Sequence, residues 1–117
     1  MNTPSPILNV LNKYLSGPSF ASQKAELFGI LRDVAKAIAR GEITLEEFRG
    51  DLKKIVESIA VYRQLSGLST NVSQLQKELE KAIQTEASMH QISAVRERLA
   101  SLRRRRRGRE SSTTEFF

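Results

Sequence analysis

The chain has no cysteine, no tryptophan and a single histidine, and no long run of apolar residues. Without cysteine it has no disulfide, no thiolate metal site and no cysteine nucleophile. His90 and Glu86, four residues apart, fall short of the roughly three or four ligands that a metal site needs. No stretch approaches the roughly 18 consecutive apolar residues of a membrane-spanning helix. We therefore expect no metal, no cofactor and no membrane span.

Patterns that carry catalysis are also missing. The glycines are isolated and do not follow strands, so neither a phosphate-binding loop nor a dinucleotide fingerprint is present. Glu46, Glu47 and Asp51 form an acidic group at the start of a predicted helix, where carboxylates complement the helix dipole. These observations predict a protein that is not an enzyme.

The amino terminus lacks a basic region followed by an unbroken apolar segment, so we expect no signal peptide. Together with the absence of cysteine, this favours a cytoplasmic, nucleoid or virion location. At 117 residues the chain has the size of one domain.

Apolar residues recur at helical spacing, and strand patterns are nearly absent, so the predicted fold class is all-α. The clearest local signal is the capping box formed by Thr44 and Glu47, and Gly41 stands where a helix terminator is expected. We expect a short N-terminal helix, an antiparallel helical hairpin, and a long C-terminal helix ending in a basic arm. The predicted helices cover about 7–15, 20–40, 45–64 and 72–102.

The predicted domain organisation is a helical body over 1–102 and an Arg-rich arm and tail over 103–117. Beyond the arginines, Gly108 permits a turn, and 111–114 is typical of a flexible spacer before the terminal pair of phenylalanines.

Two sets of apolar residues follow heptad spacing along the fourth helix, one over 72–82 and one over 92–102. The two sets are out of phase, so one continuous coiled coil is not expected; a bend, or two different packing partners, accounts for the shift. We predict an interface with other subunits or with a partner helix. Its residues are Leu75, Leu79, Ile92, Leu99, Leu102, Phe116 and Phe117.

The net charge of +6 comes from six C-terminal arginines, Arg103 to Arg107 and Arg109, because the chain without them is formally neutral. If the helix continued through them, five successive residues would cover its whole circumference at about 100° each, so they must meet solvent or an anionic partner. The planar guanidinium suits bidentate contacts with phosphate. The predicted nucleic-acid-binding residues are Arg96, Arg98, Arg103, Arg104, Arg105, Arg106, Arg107 and Arg109.

This arrangement predicts a structural nucleic-acid-binding protein with a sequence-independent packaging role in a nucleoprotein or capsid, acting as a homo-oligomer. The alternative is a helical scaffold or adaptor whose basic arm docks an acidic protein surface. Binding to an anionic membrane surface is less favoured, because apolar residues beside the arginines are sparse. A helix-turn-helix over 25–64 is also less favoured, because its second helix would present carboxylates to DNA.

Overall fold

The computed structural model describes the backbone of residues 5–115 and the side chains of residues 5–104. Within that part of the chain it contains helices and no strands, which confirms the predicted all-α fold. The four helices are α1 Pro6–Tyr14, α2 Ala21–Ala39, α3 Leu45–Leu65 and α4 Val72–Glu115, with a short 3₁₀ turn at Pro18–Phe20. The first three agree with the predicted ranges to within one residue at each end.

Local capping explains where the helices begin and end. The hydroxyl of Ser5 accepts a hydrogen bond from the Leu8 amide at 3.1 Å and caps α1. The hydroxyl of Thr44 accepts a hydrogen bond from the Glu47 amide at 3.2 Å, as the capping pattern predicts for α3. The same hydroxyl donates to the Glu47 carboxylate at 3.2 Å. Gly41 follows α2 at φ 75°, a left-handed conformation that favours glycine.

The first half of α4 is the centre of the core. It packs against α1, α2 and α3, and the two helices of the predicted hairpin make their main contacts with α4 rather than with each other. Leu75, Leu79 and Ile83 of α4 are fully buried. They meet a set of buried side chains from the other helices, which includes Ile7, Leu11, Leu15, Leu31, Leu52, Val56 and Ile59.

The second half of α4 leaves this core. Among the residues of α4 whose side chains are described, Ala87 is the last buried one, and every residue from Gln91 to Ala100 is exposed. We call residues 91–115 the distal helix; at 1.5 Å per residue its 25 residues extend for about 37 Å. The radius of gyration is accordingly 20.1 Å, against about 13 Å for a compact domain of this length.

The helix continues further than the sequence predicts. We expected α4 to end near Leu102, with a turn at Gly108 and a spacer over 111–114, but the backbone is helical through Glu115. Arginine is among the good helix formers, and one glycine within a helix costs only about 1 kcal/mol, so the run of arginines prolongs the helix instead of ending it. Phe116 and Phe117 lie outside the described residues.

Candidate nucleic-acid interface

The distal helix carries the basic charge of the molecule. Between residues 91 and 109 the sequence has eight arginines and one glutamate, Glu97. Arg96, Arg98, Arg103 and Arg104 are exposed on this segment. The segment is therefore strongly positive, and these four arginines are accessible to a large anionic partner.

The arginines do not all lie on one side of the distal helix. At about 100° per residue, positions 103–107 are distributed around the whole circumference of the helix. A flat anionic surface that meets one side of a straight helix contacts about half of them, which is roughly three phosphates instead of the five or six that a flexible arm would reach. A groove that surrounds the helix would contact more.

Four apolar residues of the distal helix have no cover from the rest of the described chain. Ile92, Val95, Leu99 and Leu102 are between 50% and 56% exposed, and their spacing places them on one face of the helix. We call these four residues the apolar stripe. The predicted interface residues Ile92, Leu99 and Leu102 therefore lie together on an accessible surface.

Leu75 and Leu79 do not belong to that surface, which corrects the interface predicted from the sequence. Both are fully buried in the core of the chain, against the other three helices. A heptad pattern shows that a face of a helix is apolar, but it does not show whether the same chain or another one covers it. The phase shift between the two apolar sets marks the point where α4 leaves its own core.

The base of the distal helix meets the C-terminal end of α2. The Gln91 side-chain amide donates to the Ala39 carbonyl at 3.4 Å, and Lys36, Arg40 and His90 line a shallow cavity at this junction. Lys36 and Arg40 thus lie beside the start of the distal helix, where Arg40 forms an ion pair with Glu42 at 2.8 Å and Glu97 lines the same cavity. Sequence reasoning missed these two residues, since only the packing of α2 on α4 brings them there.

The carboxylate of Glu86 has a structural partner and does not face a metal site with His90. Glu86 is only 5% exposed, and its Oε1 accepts hydrogen bonds from the Ser5 hydroxyl and, at 3.4 Å, from the Ile7 amide. A carboxylate at the N-terminus of a helix is favoured by the free amides and the dipole there. Glu86 therefore fixes the start of α1 against α4, five residues before the distal helix begins.

A second polar cluster holds the opposite end of the body together. The Arg63 guanidinium donates to the carbonyl of Tyr14 at 2.6 Å, to the hydroxyl of Thr70 at 2.6 Å and to the carbonyl of Ser69 at 3.0 Å. These bonds join the ends of α1 and α3 to the loop that leads into α4. Since the donor is charged, they are stronger than bonds between neutral groups.

Glu78 of α4 lies beside this cluster. Hydrogen bonds from the Lys13 ammonium, at 2.6 Å, and from the Tyr14 hydroxyl hold the pKa of the Glu78 carboxyl below its usual value. Burial, together with the bond to Glu78, raises the pKa of the Tyr14 hydroxyl. These residues secure α1 to α4 and lie outside the distal helix.

Within the described residues, no three His, Cys, Asp or Glu side chains are grouped to hold a metal ion. No helix in this part of the chain is long and apolar enough to cross a membrane. Comparison with protein-family models, curated proteins and solved structures finds no match to the chain.

Proposed function

We propose that the protein is a non-enzymatic nucleic-acid-binding protein, in which the distal helix supplies a sequence-independent grip on the phosphate backbone. The observation that carries the proposal is the concentration of eight arginines, against three glutamates, on a helix that projects beyond the folded body. Guanidinium groups bind phosphate oxygens in bidentate fashion, and release of the counterions of the nucleic acid drives such binding.

The location of the arginines along the chain supports this function more than the net charge of the protein does. The body over residues 1–90 is close to neutral, with eleven basic and ten acidic residues. The positive charge is concentrated on the distal helix, and Lys36 lies near the start of that helix. Several copies bound along one polymer would add their individually weak contacts, as expected for packaging in a nucleoprotein or capsid. Self-association of the protein stays a prediction.

The test is a salt series of binding to a short DNA duplex and to a single-stranded RNA, measured by fluorescence anisotropy. For duplex DNA each phosphate contact contributes about −0.9 to the slope of log affinity against log salt. About three contacts on one side of the helix then weaken affinity about 40-fold between 50 and 200 mM salt, and five or six contacts weaken it about 1000-fold. The slope therefore reports how many arginines the phosphates reach.

Two variants with equal charge separate the location of the arginines from the net charge. The first replaces Arg103 to Arg107 with glutamine, which preserves helix propensity. The control replaces five exposed cations of the body with glutamine, and both variants lower the net charge from +6 to +1. The control residues are Arg32, Lys53, Lys54, Lys77 and Lys81.

We expect the first variant to lose at least about tenfold in affinity at 50 mM salt and most of its salt dependence, because phosphate contacts are lost. The control should retain the slope of the unmodified protein. Equal losses in the two variants would contradict the proposal, since net charge alone would then explain binding. Weak binding that neither variant changes would also contradict it, and would favour the adaptor function.

A further inference from the structure

The apolar stripe is narrow. At about 100° per residue, Ile92, Val95, Leu99 and Leu102 fall within an arc of about 80°. A helix that packs on a globular core has an apolar face of about 100° or more, whereas a helix that pairs with one other helix has a narrower one. The rest of the described distal helix offers only polar residues and alanine around this stripe. The width therefore fits a single helix as the occupant, and is too small for a membrane surface.

The spacing of the stripe corresponds to successive a and d positions of a heptad, with Ile92 at a and Leu102 at d. In this register the flanking e and g positions hold arginine on both sides. Arg96 and Arg103 lie along one edge of the stripe, and Arg98 lies along the other, while Glu97 is on the opposite face.

These flanks disfavour a second copy of the distal helix as the occupant. In either orientation, pairing two copies through the stripe would bring arginine edges against arginine edges, and like charges there disfavour association. A helix with carboxylates along both edges would instead form opposite-charge pairs. Charge therefore selects a partner that differs from this chain.

We propose that the apolar stripe binds one amphipathic α-helix of another protein, whose own apolar heptad residues are flanked by Asp or Glu. The four apolar residues supply the buried contact, and Arg96, Arg98 and Arg103 supply the selectivity. Positions 106 and 109, both arginine, continue the a and d register toward the C-terminus. A longer partner helix with carboxylates opposite them would cover part of the arginine run as well.

The experiment uses the full-length protein and a synthetic peptide of about three heptads, with leucine at a and d and glutamate at e and g. A matched peptide has lysine in place of glutamate. Binding is measured by fluorescence anisotropy at 150 mM salt, and the protein's association state by sedimentation equilibrium. We expect the acidic peptide to bind and the basic peptide to remain unbound.

Two double variants test the stripe without changing any charge. Val95→Asn with Leu99→Asn places two polar residues in the stripe, while Ser93→Asn with Ala100→Asn changes the same number of residues away from it. We expect the first pair to weaken binding of the acidic peptide at least about tenfold, because two apolar contacts are lost. The second pair should stay within about twofold. Circular dichroism verifies that both retain the same helix content.

Three results would overturn the proposal. Equal affinity of both double variants for the acidic peptide would mean that the arginines alone attract it. A dimer of the unmodified protein that Val95→Asn with Leu99→Asn dissociates would assign the stripe to a second copy. Stripe-dependent binding to phosphatidylserine vesicles, without peptide binding, would assign it to lipid. Both double variants retain every arginine, so none of these results tests the proposed binding of nucleic acid.

Discussion

Replacement of Glu86 tests how α1 is held to the rest of the protein. In Glu86→Ala, the Ser5 hydroxyl and the Ile7 amide lose their shared acceptor, and a cavity forms where the buried side chain was. A hydrogen bond to a charged group contributes about 1.5–3 kcal/mol, and the bond from Ile7 is long at 3.4 Å. Removal of the buried carboxylate also removes its desolvation cost. We expect the free energy of unfolding to fall by about 2–4 kcal/mol.

Urea denaturation followed by circular dichroism measures this loss. Glu80→Gln is the matched control on the same helix, because Glu80 forms an exposed ion pair with Arg49 at 2.8 Å and should contribute less than about 1 kcal/mol. A double-mutant cycle of Ser5→Ala with Glu86→Ala should give a coupling energy of about 1 kcal/mol or more. A loss below about 0.5 kcal/mol in Glu86→Ala, or a coupling energy near zero, would refute this account of the contact.

Two further predictions concern the core and the response to acid. Leu79→Ala should lower the free energy of unfolding by about 2–5 kcal/mol, because the side chain is fully buried. Leu99→Ala, on the exposed apolar stripe, should change it by less than about 0.5 kcal/mol in the same urea assay. Equal effects of the two substitutions would contradict the difference in burial. Because the pKa of Glu78 is lowered by folding, its stabilising contribution is present above its usual pKa of 4.5 and is lost as the pH falls through the lower folded value. The difference in unfolding free energy between the unmodified protein and Glu78→Gln should therefore be constant near pH 7 and shrink by pH 3. A difference that grows toward low pH would contradict the hydrogen bonds as the cause of the lowered pKa.

The parts of the fold that depend on local sequence could be predicted. The capping pair of Thr44 and Glu47 and the terminator Gly41 act within a few residues, so their effect is visible in the sequence. The all-α class followed from periodicity. The roles of Glu86 and Arg63 could not be predicted, because their partners Ser5 and Tyr14 lie 81 and 49 residues away along the chain. Nothing near either residue in the sequence signals those contacts.

Only part of the candidate site could be predicted, because the rest depends on contacts between residues far apart in the sequence. The arginines were visible as a charge run, and the structure adds that the backbone beneath them is helical. The two apolar sets of α4 look alike in the sequence, yet Leu79 is buried within the chain and Leu99 is exposed. Only the positions of the other helices distinguish them. The position of Lys36 beside the start of the distal helix likewise depends on tertiary packing.

The division of α4 into a packed part and a projecting part gives one helix two very different local stabilities. Amides between Leu75 and Ala87 are released to exchange with solvent deuterium only when the core opens. Amides between Ile92 and Arg104 lie in a part of the helix whose side chains are almost all exposed, and such a helix opens at little cost. Any ligand that orders the distal helix therefore slows exchange in that segment alone, and the boundary of the slowed amides locates the ligand without a substitution.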